Sequence, residues 1–452
     1  MPDQNGNDRA VIVGAGLAGC LLATLLGRRG IAVTVYERRD DPRVAEPERG
    51  RSINLAVSAR GFAALDQVGL KEHALSRALP MHGRMVHAPT GEQSFQSYSA
   101  DGKRAISSIS RSELNLALLE EAAKTPGVEL FFGHRLVSTD LDTGVLCFDT
   151  AEGPVEVAAS IVLAADGAFS AARRAVTFTT GFTFSQDYLE HGYKELTIPP
   201  RAGDNGGHND GDFALDPDAL HIWPRGGSMM IALPNLDKSF TCTLFWTRAE
   251  FDALDTDEKI VRYFGEHYPD VVDLAPDLVD DFTHNPVGSL ATIRSYPWVH
   301  EGSGATLALL GDAAHAIVPF FGQGANCAFE DCVEIDRCLD EFGDDWAKAL
   351  AAYQERRKAN CDAIADMALD NFVEMRDRVN SKVFQAKSAA EHWLERRLPG
   401  KFVSRYELVS FSTMPYAEIP ARVHRQRFAT GLATAGVLAA NAVRERLSGK
   451  RS

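Results

Sequence analysis

The N-terminal stretch VIVGAGLAGCLLATLLGRRG constrains the fold more than any other part of the chain. It places Gly14, Gly16 and Gly19 directly after a short apolar run and at the start of a helical pattern. At such a turn the first glycine makes the tight bend, the second lets the backbone approach a pyrophosphate, and the third lets helix and strand pack closely. Leu17 and Ala18 begin the helix, whose N-terminus favours phosphate. The motif predicts a Rossmann-type unit that binds a dinucleotide.

An acidic residue supports this interpretation. Glu37 ends the following strand pattern, IAVTVYE, 18 residues after Gly19, where a carboxylate can bind a ribose hydroxyl. A carboxylate at the ribose favours FAD or NAD over NADP. Arg38, the next residue, is a candidate for the adenosine end of the cofactor. The alternative is a helix that merely packs tightly against its strand.

Composition excludes several classes of protein. The net charge of −15 argues against a general binder of nucleic acid or anionic membranes. Seven cysteines without a CxxC pair are typical of a reducing compartment and predict neither a disulfide scaffold nor a metal site. No secretory signal is visible. The apolar stretch 428–443 has 16 residues, fewer than the roughly 20 that span a bilayer, and predicts a docked helix. We therefore expect a cytoplasmic protein without a membrane anchor.

Two later motifs separate FAD from NAD. AADGAFSAARRAV places Asp166 after a buried strand pattern, and LLGDAAHAIVPFFGQGANCAFED places Asp312 after another. These motifs resemble the DG and GD motifs of the flavoprotein monooxygenase superfamily, in which the second aspartate contacts the ribityl chain. The resemblance implies tightly bound, non-covalent FAD. Read alone, Asp312 could be a helix cap.

The segment after Asp312 combines an apolar wall with a flexible turn. The wall can keep water from the flavin ring and the substrate, and it consists of Pro319, Phe320 and Phe321. The backbone amides of the turn and of the next helix N-terminus can serve the anionic edge of the flavin, and this turn consists of Gly322, Gln323, Gly324, Ala325 and Asn326. Without the motifs, the phenylalanines could be ordinary core residues.

The order of strand-like and helical patterns predicts an α/β fold. We expect a Rossmann-type FAD-binding domain interleaved with a mostly antiparallel β-sheet substrate domain, plus a C-terminal helical region. The FAD-binding domain is assigned to residues 1–75, 106–180 and 301–380. The substrate domain is assigned to residues 76–105 and 181–300, and a C-terminal helical region that covers the active site to residues 381–452.

The resemblance narrows to the kynurenine 3-monooxygenase family, bacterial type, through GRSINLAVSARGFAALDQVGL, MHGRMVH, SISRSELNLALL, YLEHGYKEL, HIWPRGGSMMIALPN and VPFFGQGAN. It implies an enzyme of tryptophan catabolism that uses NADPH and O2 to hydroxylate L-kynurenine to 3-hydroxy-L-kynurenine through a flavin C4a-hydroperoxide. Ala325 stands where the family often has methionine, and Val57 where leucine is usual. The hydrophobic anchor of the animal enzymes is not found.

The resemblance also implies roles for individual side chains. Arg84 matches the arginine that binds the substrate carboxylate, a task for which a planar, bidentate cation is suited. The other residues implied to hold or enclose the substrate are Tyr98, Phe240, Asn371, Met375 and Tyr406. Arg111 resembles a flavin-contacting arginine, although Ser110 to Glu113 also has the spacing of a capping box. No side chain is assigned as acid or base, because the ring amine activates the substrate.

Two other functions fit parts of the sequence. A hydroxylase of another aromatic acid would share the fold and most motifs. A non-catalytic FAD-fold binding protein, similar to the dissociation inhibitors of small GTPases, is disfavoured by the intact DG and GD motifs. Only one GxGxxG occurs, so NADPH is expected to bind transiently at the surface as electron donor. A homodimer is expected from the family alone.

Overall fold

The computed structural model describes residues 9–44, 54–201, 212–378 and 382–429. Within them the strands, β1 to β19 in chain order, are Arg9–Val13, Ala32–Tyr36, Asn54–Val57, Leu79–Met81, Gly83–His87, Gln93–Ser97, Ile106–Ser110, Val128–Phe131, Arg135–Asp140, Val145–Thr150, Gly153–Ala158, Ile161–Ala164, Thr183–Ile198, Ala219–Pro224, Met229–Pro234, Phe240–Thr247, Gly288–Tyr296, Val299–Glu301 and Thr306–Leu309.

The described α-helices, α1 to α14 in chain order, are Leu17–Arg28, Ala59–Gln67, Lys71–Ser76, Arg111–Lys124, Ala171–Val176, Arg248–Ala253, Asp257–His267, Pro269–Val272, Leu278–His284, Asp312–His315, Gly324–Phe342, Trp346–Val373, Lys382–Arg397 and Arg405–Ser410. A further helix covers 418–429. Pro319–Phe321 forms a 3-10 turn, and Glu374–Arg378 continues α12 as a π-helical turn.

A six-stranded sheet in the order β18-β19-β12-β1-β2-β8 carries the three nucleotide motifs. All its neighbouring strands are parallel except the β18–β19 pair. The GxGxxG turn follows β1, the DG motif follows β12, and the GD motif follows β19. Because the carboxyl ends of parallel strands meet at one edge of a sheet, the three motifs converge there.

A seven-stranded sheet in the order β17-β13-β16-β15-β14-β5-β6 forms the second layer. Its pairs are antiparallel except for β14 with β5. One face of this sheet packs on a separate aromatic core beneath α6 to α9, which includes Trp246, Phe264, Tyr268 and Phe282. The other face turns toward the edge of the first sheet. The remaining strands form two three-stranded sheets, β11-β10-β9 and β3-β7-β4.

The predicted fold class is confirmed, with a doubly wound sheet interleaved with a mostly antiparallel one. The apolar run before the glycine motif forms the strand Arg9–Val13, and the strand pattern IAVTVYE is confirmed as Ala32–Tyr36. Four helices between 248 and 284 were not predicted in that strand-rich region. The domain limits stay a prediction. The stretches 45–53 and 430–443, which include most of the predicted C-terminal docked helix, lie outside the described residues.

Candidate active site

One cavity of about 300 Å³ lies where the two main sheets meet. Its volume is in the usual range for small-molecule sites. Fourteen of the residues singled out in the sequence line it: Gly16, Leu17, Ala18, Arg84, Arg111, Asp312, Pro319, Phe320, Phe321, Gly322, Gly324, Ala325, Met375 and Tyr406. These residues come from distant parts of the chain, so the fold brings together motifs that the sequence keeps apart.

The glycine motif has the geometry that its spacing predicts. Gly14 has a φ of +103°, and a Cβ there would lie 2.6 Å from the carbonyl oxygen of Ala165. A Cβ on Gly19 would lie 1.9 Å from the carbonyl oxygen of Gly14, so only glycine lets α1 approach β1 this closely. A Cβ on Gly16 would meet nothing within 4 Å. The backbone at Gly16 therefore faces open space at the cavity, as a pyrophosphate would require.

Glu37 is buried beside this turn. Its Oε2 accepts a hydrogen bond of 2.8 Å from the backbone amide of Ala15, and its Oε1 accepts one of 2.8 Å from Nε of Arg39. Burial opposes the charge of Glu37, yet the bonds and charge of Arg39 hold the pKa of the carboxyl below its usual value. Arg39, which the sequence did not single out, is therefore the partner of Glu37. Arg38 is exposed beside them.

Asp166 of the DG motif caps α5. Its Oδ2 accepts hydrogen bonds from the amides of Ala171 (2.7 Å) and Ala172 (3.1 Å). Its Oδ1 is buried without a partner among the described residues, and burial raises the pKa of this carboxyl. Arg173 ties the DG segment to the GD segment, since its Nη1 donates to the carbonyl of Ala313 at 2.7 Å.

The GD turn is held from behind by a carboxylate that the sequence analysis did not single out. The amide of Gly311 donates to Oδ2 of Asp331 at 2.9 Å, while Asp312 is exposed to the cavity. Asp331 is fully buried in α11 and also contacts Nε2 of His315 at 2.5 Å. His315 does not line the cavity.

In the turn before α11, two polar side chains bind other parts of the protein, and the small residues border the cavity. Asn326 accepts from the amide of Ser58 at 3.0 Å and donates to the carbonyl of Ala56 at 2.9 Å. Gln323 accepts from the hydroxyl of Tyr416 at 2.7 Å. Both side chains face away from the cavity and clamp the turn. Gly322, Gly324 and Ala325 line the cavity instead, where the positive N-terminus of α11 begins.

Arg111 begins α4 and lines the cavity. Ser110 caps this helix, because its Oγ accepts from the amide of Glu113 at 3.4 Å. The side chain of Glu113 pairs instead with Arg77 at 3.1 Å. The start of α4 therefore serves both interpretations: Ser110 caps the helix, and Arg111 borders the cavity.

Arg84 lines both the main cavity and a smaller pocket beside it. It is buried on β5, and its Nε has no hydrogen-bond partner among the described residues. Its guanidinium carbon lies 4.9 Å from the ring centre of Tyr406 and 5.7 Å from that of Tyr98, and these two rings stack at 4.6 Å. Burial opposes its charge, yet the two tyrosines and Glu374 keep the pKa of Arg84 above its usual value. The Nε–H group of this buried cation is therefore available to donate a hydrogen bond to a ligand.

A smaller pocket of about 90 Å³ continues past Arg84 and includes Tyr98, Asn371 and Glu374. Asn371 donates to the carbonyl of Phe320 at 2.6 Å and to the sulfur of Met375 at 3.2 Å. Met375 lies in the π-helical turn and lines the main cavity. Asn371 thus fixes the apolar wall while facing the pocket beside Arg84.

The placement of Phe240 against the substrate ring is wrong. Phe240 is fully buried in the aromatic core on the far side of the seven-stranded sheet, where it contacts His221 edge-on at 5.5 Å. Successive side chains of a strand point to opposite faces, so Thr241, Thr243 and Phe245 line the cavity from β16. Phe245 contacts Phe320 edge-on at 5.0 Å, and it is the aromatic residue of this strand that borders the cavity.

The residues present fit FAD. The backbone at Gly16 is open to the cavity, the helix N-termini of α1 and α11 both border it, and Asp312 is exposed in it. The Gly16 backbone and the N-terminus of α1 suit the pyrophosphate, and the N-terminus of α11 suits the flavin edge. Asp312 suits the ribityl hydroxyls.

A family model described as FAD binding domain matches residues 8–194 and 291–368. The kynurenine 3-monooxygenase of Myxococcus xanthus (strain DK1622) is 48% identical over 90% of this chain and 87% of that protein. The kynurenine 3-monooxygenase of Dictyostelium discoideum is 44% identical over 91% of this chain and 90% of that protein. The chain belongs to the kynurenine 3-monooxygenase family. It is therefore an FAD-dependent monooxygenase.

A solved structure supports the fold of this family member. The tetrameric form of 2-methyl-3-hydroxypyridine-5-carboxylic acid oxygenase matches with a TM-score of 0.66 over 85% of this chain and 95% of that one, at 20% identity. Among the described residues, no helix has both the length and the hydropathy to cross a bilayer.

Proposed function

We propose that this chain hydroxylates L-kynurenine to 3-hydroxy-L-kynurenine, with FAD as resident cofactor and NADPH and O2 as co-substrates. One observation carries the proposal. Residues of the FAD motifs and the buried cation of Arg84 line one and the same cavity. The reaction catalysed by the named relatives supports the choice of substrate.

Arg84 is proposed to bind the substrate carboxylate. An anion would satisfy its buried Nε and gain a charge-assisted, bidentate contact. The stacked rings of Tyr98 and Tyr406 hold the guanidinium from the side. Asn371, in the adjoining pocket, is proposed to orient the amino acid end and to hold the wall through the Phe320 carbonyl. With Arg84 for the carboxylate and Asn371 for the amino acid end, the site is proposed to bind an amino acid in preference to a simple aromatic acid.

The substrate ring is proposed to lie against Phe320, Phe245 and Pro319. Phe320 is itself fixed by stacking on Phe372 at 4.1 Å, so the wall is rigid and apolar. FAD, when bound, supplies the redox chemistry, taking hydride from NADPH and delivering one oxygen atom of O2 to the ring. The wall's task is to exclude water, which would otherwise divert reduced oxygen to hydrogen peroxide.

No strong base is needed from the protein. The ionisable side chains that line the described cavity are Arg84, Arg111, Tyr193, Asp312 and Tyr406. The amino group ortho to the reacting carbon activates the ring of L-kynurenine, so positioning and electrostatics suffice. Domain limits as assigned from the sequence, surface docking of NADPH and a homodimer remain part of the proposal.

The test is NADPH oxidation by the FAD-loaded protein with different additions. L-Kynurenine is expected to accelerate it strongly, and 4-hydroxybenzoate, which lacks the amino acid end, is not. Kynuramine, which lacks only the carboxylate, is expected to need a much higher concentration. Acceleration by 4-hydroxybenzoate with no response to L-kynurenine would overturn the proposal in favour of a phenolic acid hydroxylase.

A further inference from the structure

A second cluster of reactive side chains lies behind the GD turn, between α11 and α12. The Sγ atoms of Cys327 and Cys361 are 3.6 Å apart, and each residue is 1% exposed. Neither lines the cavity, but Ala328, the residue after Cys327, does. One helix therefore separates the thiol pair from the site of oxygen chemistry. The hydroxylation as proposed above makes no use of this pair.

Two cations face the sulfurs. Nη2 of Arg357 lies 3.2 Å from Sγ of Cys327 and 3.7 Å from Sγ of Cys361. A ring nitrogen of His315 lies within 4.8 Å of both sulfurs. Asp331 fixes both cations, since it contacts Nε2 of His315 at 2.5 Å and Nε of Arg357 at 2.7 Å. An electropositive setting of this kind favours a thiolate.

The two sulfurs differ in ionisation. The hydrogen bond from Cys361, together with the charges of Arg357 and His315, lowers the pKa of Cys327 to about 6 despite burial. Burial instead raises the pKa of Cys361, and it raises the pKa of Cys332, the next cysteine on α11. Nη2 of Arg357 also lies closer to the sulfur of Cys327 than to that of Cys361. Charge and geometry therefore both favour Cys327 as the attacking cysteine and Cys361 as the resolving one.

We propose that Cys327 and Cys361 are a peroxide-reactive thiol pair, in which Cys327 is oxidised first and Cys361 closes a disulfide. The Cys327 thiolate attacks one oxygen of hydrogen peroxide and the O–O bond breaks. The leaving hydroxide takes a proton, for which the His315 ring is a donor within the cluster, and Cys327 becomes a sulfenic acid. The sulfur of Cys361 then attacks that of Cys327. The S–O bond breaks, and the hydroxyl leaves as water with the proton of Cys361. In total, two thiols reduce one hydrogen peroxide to two waters.

Geometry favours this reaction over a metal site. His315, Cys327 and Cys361 are close enough together to share a cation. However, the guanidinium of Arg357 already lies beside both sulfurs, and a metal ion there would meet a like charge. For a disulfide, the sulfurs would close from 3.6 Å to about 2.05 Å.

The oxidised form would cross-link α11 to α12 next to Asp331. This carboxylate also accepts the amide of Gly311 in the GD turn at 2.9 Å. Oxidation removes the thiolate and takes a proton from His315, so Asp331 is left with Arg357 alone as a charged partner among the two side chains that it contacted as cations. The disulfide is therefore expected to weaken the contact between Asp331 and the Gly311 amide, which fixes the GD turn beside the FAD site.

The test uses the full-length, FAD-loaded chain, reduced with dithiothreitol and freed of it. Hydrogen peroxide in modest excess is added, free thiols are trapped with N-ethylmaleimide, and peptides are read by mass spectrometry. We expect a disulfide between residues 327 and 361 that dithiothreitol reverses. Cys327 should be lost at least about tenfold faster than Cys332, because only the thiolate is reactive. Zinc content is measured on the same sample.

Matched variants separate the two steps. Cys361→Ser is expected to trap a sulfenic acid at Cys327 that dimedone labels, and Cys327→Ser is expected to give neither label nor disulfide. Cys332→Ser, on the same buried helix, should behave as the unaltered chain. Oxidation of Cys332 or of the half-buried Cys147 before Cys327 would overturn the proposal. Stoichiometric zinc that protects both thiols until it is chelated would overturn it in favour of a metal site.

Discussion

At the scale of single residues, Arg84 is the most informative side chain of the site. A buried donor without a partner costs about 1–3 kcal/mol, and Nε of Arg84 is such a donor. The surrounding rings of Tyr98 and Tyr406 hold the guanidinium in one place. An arrangement of this kind is unfavourable for the empty protein and favourable once an anion binds. The residue therefore indicates what the cavity is shaped to receive.

Arg84→Met tests this directly. The loss of a charge-assisted contact should raise the KM for L-kynurenine about 10- to 100-fold. The KM for kynuramine, which has no carboxylate, should change little. Arg135→Met, at an exposed salt bridge to Asp149 on a distant sheet, is the control. Equal losses with both substrates would show that Arg84 supports the fold and does not bind the carboxylate.

His221 gives a prediction about acid stability. Burial lowers the pKa of His221 to about 4, whereas an unfolded histidine titrates near 6.5. A depressed pKa means that stability is present above about pH 6.5 and is lost as the pH falls toward 4. Between pH 7 and pH 5 this one group should cost about 2 kcal/mol.

Urea unfolding at pH 7 and pH 5 measures that cost. In His221→Gln, the free energy of unfolding should fall by about 2 kcal/mol less over this range than in the unaltered chain. His424→Gln, at an exposed histidine, should leave the pH dependence unchanged. The same pH dependence in His221→Gln and the unaltered chain would refute the role of His221.

At the scale of elements, two helices begin at the cavity with a glycine turn before them. α1 starts after Gly16 and α11 starts at Gly324. Both present N-terminal backbone amides to the cavity, where negative charge is favoured. The three glycines of the first turn have different tasks, and the space around each one distinguishes them.

Gly16→Ala and Gly19→Ala form a matched pair. A methyl group at 16 meets nothing within 4 Å, so the chain should fold with an unchanged melting temperature without FAD. FAD affinity should still fall at least about tenfold, because the methyl group lies where the pyrophosphate approaches. A methyl group at 19 overlaps the carbonyl of Gly14, and the melting temperature should fall. Normal FAD content in Gly16→Ala would contradict the assignment.

Strand β16 shows a limit of prediction from sequence. The run SFTCTLFW has the alternation typical of a strand, with one fully apolar face and one face that carries threonines and Phe245. Each face has an aromatic residue, and the alternation alone does not say which of them borders a cavity. Phe240 packs in the aromatic core and Phe245 borders the cavity because one-residue alternation separates them. Only the pairing of β16 with β13 and β15 fixes the face.

Phe245→Leu and Phe240→Leu test that alternation. Each should destabilise the fold by about 1 kcal/mol, since both remove buried aromatic contacts. Only Phe245→Leu should raise the hydrogen peroxide formed per NADPH oxidised with L-kynurenine, because only it opens the wall of the cavity to water. A comparable rise in Phe240→Leu would mean that uncoupling follows from instability and not from the wall.

At the scale of the whole molecule, contiguous motifs were predictable and long-range partners were not. Three strand-to-helix turns were read from local spacing, and the parallel sheet brings them to one edge. Asp331 could not be assigned to Gly311 from spacing, because the contact depends on how α11 packs behind the GD turn. The helices between 248 and 284 were missed although local signals for them are present: Thr247 and Glu250 form a capping box before α6, and Thr256 caps α7.

The central claim is that the cavity transfers oxygen to L-kynurenine with water excluded, and product stoichiometry tests it most directly. NADPH consumed, 3-hydroxy-L-kynurenine formed and hydrogen peroxide released are measured together with the FAD-loaded protein. We predict nearly one hydroxylated product per NADPH, with little peroxide. NADPH oxidation that L-kynurenine accelerates but that yields only peroxide would contradict the claim, because the ring would then lie in the cavity without being the substrate.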